Sequence, residues 1–166
     1  LRNFLIQDCD KLYKFKNIRL IGMVTVYDVD PDEFIKVLAD RLKNENVKVP
    51  DWVKWVKTGP HRETGPVQDE WYYTRMASVF RKLYIKGPIG TSRLASDYGG
   101  KRDRGTKRYH AVKGSRNITR KCLQELDKLG YTSVGKEGRR LTPKGISYLE
   151  KLAEEIIKSK EVKKEN

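Results

Sequence analysis

Apolar positions along residues 30–45 recur every three or four places: Phe34, Val37, Leu38 and Leu42. That spacing predicts an amphipathic helix with one buried face. Its start is marked by Asp30 as cap, Pro31 at the first helical position, and Asp32 and Glu33 near the positive end of the helix dipole. "VPDWVKWVKTG" predicts a short helix capped by Asp51 and ended near Gly59, and "GPHRETGPVQ" a loop with two Gly-Pro pairs. The strongest helical pattern follows in "DEWYYTRMASVFRKLYIKGP", with Asp69 expected as cap and Gly87–Pro88 as stop. Tyr72, Met76, Val79, Phe80 and Leu83 form its apolar stripe. At about 100° per residue, Trp71, Arg75, Ser78 and Lys82 fall within an arc of roughly 60° on another face, flanked by Arg81 and Lys86.

Beyond residue 90 the pattern changes element by element. "TSRLASDYGG" predicts a short helix capped by Thr91 or Ser92 and ended at Gly99. "SRNITRKCLQELDKLG" predicts another, capped by Ser115 and stopped at Gly130. Ile118, Cys122, Leu126 and Leu129 face inward there, while Arg116, Asn117, Arg120, Lys121 and Gln124 face out. "YTSVGKEGRRL" predicts a small β-hairpin turning at 135–138, with Arg139 and Arg140 on the return strand. A last helix starts at Thr142 and Pro143, with Ile146, Leu149, Ala153 and Ile156 apolar, and 159–166 is expected to be a flexible tail. Helix, helix, hairpin, helix is a winged-helix order. The expected fold is therefore mainly α, a winged-helix-like domain around a central amphipathic helix.

One connection does not suit a compact reader of DNA. A turn of three or four residues joins the two central helices of such readers. Here the join is "GGKRDRGTKRYHAVKG", residues 99–114, with Lys101, Arg102, Arg104, Lys107, Arg108 and Lys113 against one acid, Asp103. A glycine- and arginine-rich segment of this length predicts an irregular loop that orders on folded RNA.

Charge sharpens that reading. The 166 residues carry a net +14, and residues 69–145 hold nineteen basic against seven acidic groups. Such clustering fits a polyanion, usually nucleic acid. The basic block is broken by glycines and by helices that need their apolar faces for a core, so an anionic membrane fits poorly and no membrane partner is expected. No run approaches the roughly 20 apolar residues of a membrane span, and Asp8, Asp10, Lys11 and Lys14 interrupt any signal-like stretch. A soluble, intracellular protein is expected. Cys9 and Cys122 have neither disulfide nor zinc spacing, and Cys122 reads as a buried small hydrophobe. His61 and His110 stand without nucleophile or carboxylate partners, so neither catalysis, metal nor cofactor is expected. Trp71, beside Arg75 and Lys82, either stacks on a base or sugar or packs on the preceding loop.

The stretches "VPDWV", "EWYYTRMAS", "YGGKRDRG", "KGSRNITRKCLQELDKLG" and "GRRLTPKG", taken in order, resemble the small-subunit ribosomal protein S19e family of archaea and eukaryotes. The resemblance covers about four-fifths of the chain, from "MVTVYDV" at 23–29 to the last helix. It implies a helical winged-helix-type fold, a cytoplasmic place in the head of the small ribosomal subunit on rRNA, neighbouring small-subunit ribosomal proteins, and a part in maturing precursor rRNA. It carries RNA contacts over to Trp71, Arg75, Arg81 and Arg120 at the matching positions. With the charge pattern, the expected interface is these four plus Lys82, Lys101, Arg102, Arg104, Lys107, Arg108, Lys113, Arg116, Lys121, Arg139 and Arg140. The family pattern begins at Met23, so residues 1–22 are expected to be a non-native or disordered extension, and 23–158 the domain. The Lys- and Glu-rich C-terminus fits an archaeal source. The rival reading is a winged-helix DNA-binding transcription regulator, which predicts a dimer, whereas the ribosomal reading predicts a monomer when free. A free assembly factor is a third.

Overall fold

The computed structural model describes residues 24–45 and 47–165, with side chains placed as far as residue 160. The expectations for residues 1–22, and Cys9 with them, lie outside the described residues.

Helix α1 spans Pro31–Asn44, and its cap is the expected one: the Asp30 carboxylate accepts the Glu33 N–H at 3.2 Å. Phe34, Leu38 and Leu42 point into the core and are fully buried. Residues Asp51–Lys54 form only a single 3-10 turn, capped at Pro50 rather than Asp51. Val53 is buried and Trp52 meets Tyr72 edge-on at 6.2 Å, but Trp55 stays 86% exposed.

Helix α2, Trp71–Lys86, is the central helix around which the others pack. Tyr72, Met76, Val79, Phe80 and Leu83 are buried as the stripe requires. Asp69 does not cap it. The cap residue is Glu70, with no side-chain bond, and the first turn is held by the backbone, the Trp71 N–H donating to the Gln68 carbonyl at 3.3 Å. Gly87 ends the helix at φ +70°, a conformation glycine adopts at no steric cost.

Helix α3, Thr91–Asp97, is capped by Gly90 and not by Thr91 or Ser92. The cause lies one residue earlier. Ile89 pairs with Arg139 through both backbone bonds, at 3.0 and 3.1 Å, so the chain leaves in an extended conformation. This bridge adds a third, one-residue rung to the hairpin of β3, Thr132–Gly135, and β4, Gly138–Leu141. Gly138 is needed at that rung: its φ is +131°, and a Cβ there would stand 2.7 Å from the Ile89 carbonyl carbon. Strands β3 and β4 form the wing, completing the winged-helix order with α3, with α4, Arg116–Lys128, and with α5, Pro143–Glu165. Ser115 caps α4 through the Ile118 N–H at 3.5 Å, and Thr142 caps α5 through the Gly145 N–H at 3.2 Å.

The expectation for residues 99–114 is corrected here. Residues 99–114 are not an irregular loop but a second antiparallel hairpin, β1 Gly100–Arg102 with β2 His110–Val112, in register Lys101 to Ala111. The glycines expected to loosen this segment instead let it close. A Cβ on Gly99 would sit 2.3 Å from the Val112 carbonyl oxygen, and one on Gly114 would sit 2.6 Å from that of Tyr98. Only glycines let both strand ends lie against the C-terminus of α3, where the Gly114 N–H donates to the Ala95 carbonyl at 2.8 Å. Helix α5 runs on to Glu165, beyond Lys158. Lys160 pairs with Glu33 at the start of α1, which gives the extra turn a partner. Ile146, expected to face inward, is 37% exposed.

The core is one cluster joining α1, α2, α4 and α5. Phe80, Tyr131 and Tyr148 stack within it, with centroids 4.8–6.3 Å apart. Cys122 is fully buried against Tyr72, and burial pushes its thiol up to about 12, so it acts as a small hydrophobe. Among the described residues no helix is long and apolar enough to cross a membrane.

Candidate nucleic-acid interface

The expected contact residues fall on α2, the β1–β2 hairpin, α4 and the wing strand β4. The first is the outer face of α2. Arg75, Ser78 and Lys82 do share it, as the helical spacing requires, and they converge on a residue the sequence did not single out. The Tyr98 ring, at the end of α3, lies between the Arg75 guanidinium at 4.0 Å and the Lys82 ammonium at 3.7 Å from its centroid. Its hydroxyl shares a 2.8 Å hydrogen bond with Ser78 Oγ. Asp97 draws in Lys86, with Lys82 at 3.9 Å. Burial lowers the Lys82 pKa and Asp97 opposes the shift. Arg75 and Lys82 are thus held in fixed positions rather than left as solvated arms. Arg81 is half-buried on the flank of the helix.

Trp71 does not belong to that exposed face. It is 8% exposed, part of the core cluster, and edge-on to Tyr72 at 5.9 Å. The helix begins at Trp71 itself, and the Trp71 N–H donates back to the Gln68 carbonyl. Its ring packs into the core cluster beside Tyr72. Trp71 floors a cleft of about 600 Å³ walled by Arg62, Thr64–Gln68, Arg75 and Tyr98.

The second element is the β1–β2 hairpin. Every residue from Lys101 to Ala111 is exposed. The tip is a tight turn in which Asp103 Oδ1 accepts the Gly105 N–H at 2.8 Å. That bond occupies the only acid of the segment with backbone. Among the described residues, Lys101, Arg102, Arg104, Lys107 and Arg108 take part in no ion pair. Lys113, at the base, reaches Ser92 Oγ at 3.4 Å. Tyr109 is 67% exposed among these cations and was not singled out in the sequence.

The third element is the outer face of α4. Arg116 and Arg120 are exposed and Lys121 is half-buried. Arg120 makes one local bond, to Asn117 Oδ1 at 2.8 Å. The wing arginines divide. Arg139 is half-buried and its Nε donates to Asp127 Oδ2 at 2.7 Å, with Thr132 on the other oxygen of that carboxylate, which ties the wing to α4. Arg140, one residue on, points the other way and is exposed. Arg139 is therefore occupied by the fold. Tyr98 and Tyr109 are the residues that sequence reasoning missed. Nothing in the periodicity of α3 reveals that Tyr98 crosses to α2, whereas the position of Tyr109 between Arg108 and His110 was a usable signal. Among the described residues no group of histidine, cysteine or acidic side chains could hold a metal ion.

The chain is similar to known proteins over nearly all of this domain. Residues 25–159 match the family described as Ribosomal protein S19e. A small ribosomal subunit protein eS19 of Thermoplasma volcanium is 50% identical over 137 residues, covering 82% of this chain and 91% of that one. The eS19 proteins of Myxine glutinosa and Haloarcula marismortui are 42% and 39% identical, over 80% and 81% of this chain and 93% and 92% of their own.

Proposed function

Since the chain belongs to the ribosomal protein S19e family, we propose that it is a structural, non-enzymatic constituent of the small ribosomal subunit that binds rRNA in the subunit head. Relatives matched over more than nine-tenths of their length carry the name of a small-subunit protein. The observation that supports RNA as the ligand is the hairpin: five exposed cations without an ion-pair partner among the described residues, on an element that adds nothing to the core. A polyanion satisfies them, and phosphates are the usual source. Arg75, Lys82, Arg116, Arg120, Lys121 and Arg140 extend this surface along α2, α4 and the wing, with Arg81 and Lys113 at its edges. Trp71 and Arg139 support it from beneath. In this reading the protein works in the cytoplasm on the ribosome, beside other small-subunit proteins, and is a monomer before incorporation. It also assists maturation of precursor rRNA and of the subunit, because a protein that clamps folded rRNA stabilises that fold during assembly.

Quantitative mass spectrometry of purified mature small subunits tests the proposal. The expected result is one copy per subunit, retained through a high-salt wash. Abundance in precursor particles with loss from mature subunits would make it an assembly factor instead. A dimer on sedimentation that binds duplex DNA would return the regulator reading.

A further inference from the structure

Tyr109 is one of the large side chains that the packing of the protein leaves exposed. Its ring is 67% exposed at the point where the hairpin tip enters β2. Its sequence neighbours Lys107, Arg108 and His110 are all exposed, as are Lys101, Arg102 and Arg104 across the hairpin. Ordinary surface charges need no aromatic beside them. An aromatic that anchors a protein partner sits in the core of a contact patch, where charged residues are depleted. Tyr109 has the reverse surroundings, an apolar face inside a ring of unpaired positive charge. The partner that answers both features presents flat π-faces on an anionic backbone.

We propose that the β1–β2 hairpin binds an unpaired segment of RNA, with a base stacked on Tyr109 and the flanking phosphates held by Arg104, Lys107 and Arg108. The inference rests on the rRNA reading above and narrows it to one class of RNA. In an A-form duplex each base is already stacked on its neighbours, and proteins read it through shape, phosphates and 2′-hydroxyls. A ring in a basic hairpin gains nothing from that surface. In a loop or bulge the base is free to leave its neighbours, and stacking on an aromatic is worth about 1–3 kcal/mol per base. The exposed Trp55 makes a weaker case, because its segment, residues 23–68, carries seven basic against eight acidic groups.

The test uses the full chain and three probes: a single-stranded oligoadenylate of about 12 nucleotides, an RNA duplex of equal length, and a full-length small-subunit rRNA transcript. Tyr109→Ala should weaken binding to the single strand by about 5- to 150-fold, which is that stacking free energy converted. It should leave the duplex and the salt slope unchanged. Tyr109→Phe should restore the single-strand affinity, since the ring and not the hydroxyl stacks. Lys107→Ala should weaken both probes and make the salt slope shallower. Melting temperatures confirm that each variant folds. Equal loss on both short probes, or no loss on the single strand, overturns the inference while transcript binding keeps the rRNA reading. Unchanged binding to RNA with poor incorporation into subunits makes Tyr109 a contact for an acidic protein neighbour and also overturns it. If the wild-type chain binds no RNA probe above background, the rRNA reading falls and this inference falls with it.

Discussion

Trp71 and Tyr72 are consecutive, and helical geometry sends them to faces about 100° apart. Both are nevertheless buried, at 8% and 0% exposure. Tyr72 is buried wholly within the core cluster, Trp71 at the cluster's edge, beside Tyr72 and at the floor of the cleft. Loss of either ring opens a cavity, so Tyr72→Ala and Trp71→Ala should each cost about 3–5 kcal/mol, as truncations of buried aromatics do. Arg120 is exposed and its one bond is local, so Arg120→Ala should stay within about 0.5 kcal/mol of the wild type. Denaturant melts of the three variants check this. A Trp71→Ala variant as stable as the parent would mean that the ring does not pack into the core cluster.

At the scale of elements, the two hairpins differ in what holds them. The wing is tied on three sides: to Ile89 by backbone bonds, to α4 by Arg139 and Asp127, and to α5 through Thr142, whose N–H donates to the Tyr131 carbonyl at 3.0 Å. The β1–β2 hairpin is held at its base alone, where Gly99 and Gly114 press against α3. Its tip, residues 103–109, makes no contact with the core cluster. Trypsin should therefore cut first at Arg104, Lys107 or Arg108 in the free protein, since exposed tips with little packing open most readily. Saturating rRNA transcript should protect those bonds, while the wing resists in both states. First cleavage in the wing, or equal cutting of the tip with and without RNA, would count against the tip as the RNA-binding element.

For the whole molecule, the net charge of +14 acts through its placement. If the hairpin cations meet phosphates, replacing both Lys107 and Arg108 by alanine should shallow the salt dependence of rRNA binding by about 0.7–0.9 unit for each phosphate no longer neutralised. Titrations from low to high salt read this directly, and an unchanged slope would move the phosphate-binding surface elsewhere. What the sequence by itself determined is whatever depends on near neighbours in the chain. The helix stripes, the caps at Asp30, Ser115 and Thr142, the stops at Gly87 and Gly130, the wing hairpin, the basic block and the family resemblance all arise from spacings of a few residues or from counts. Tertiary structure decided whatever depends on residues distant in the chain. Nothing local sets Tyr98 between Arg75 and Lys82, couples Arg139 to Asp127, buries Trp71, moves the cap of α3 to Gly90 through the Ile89 bridge, or pairs Lys160 with Glu33. Residues 99–114 show both halves. Their charge was legible because charge is additive along a chain; their strand pairing was not, because it depends on Gly99 meeting Val112 across the hairpin and Gly114 meeting Tyr98 at the end of α3, at distances where no side chain fits.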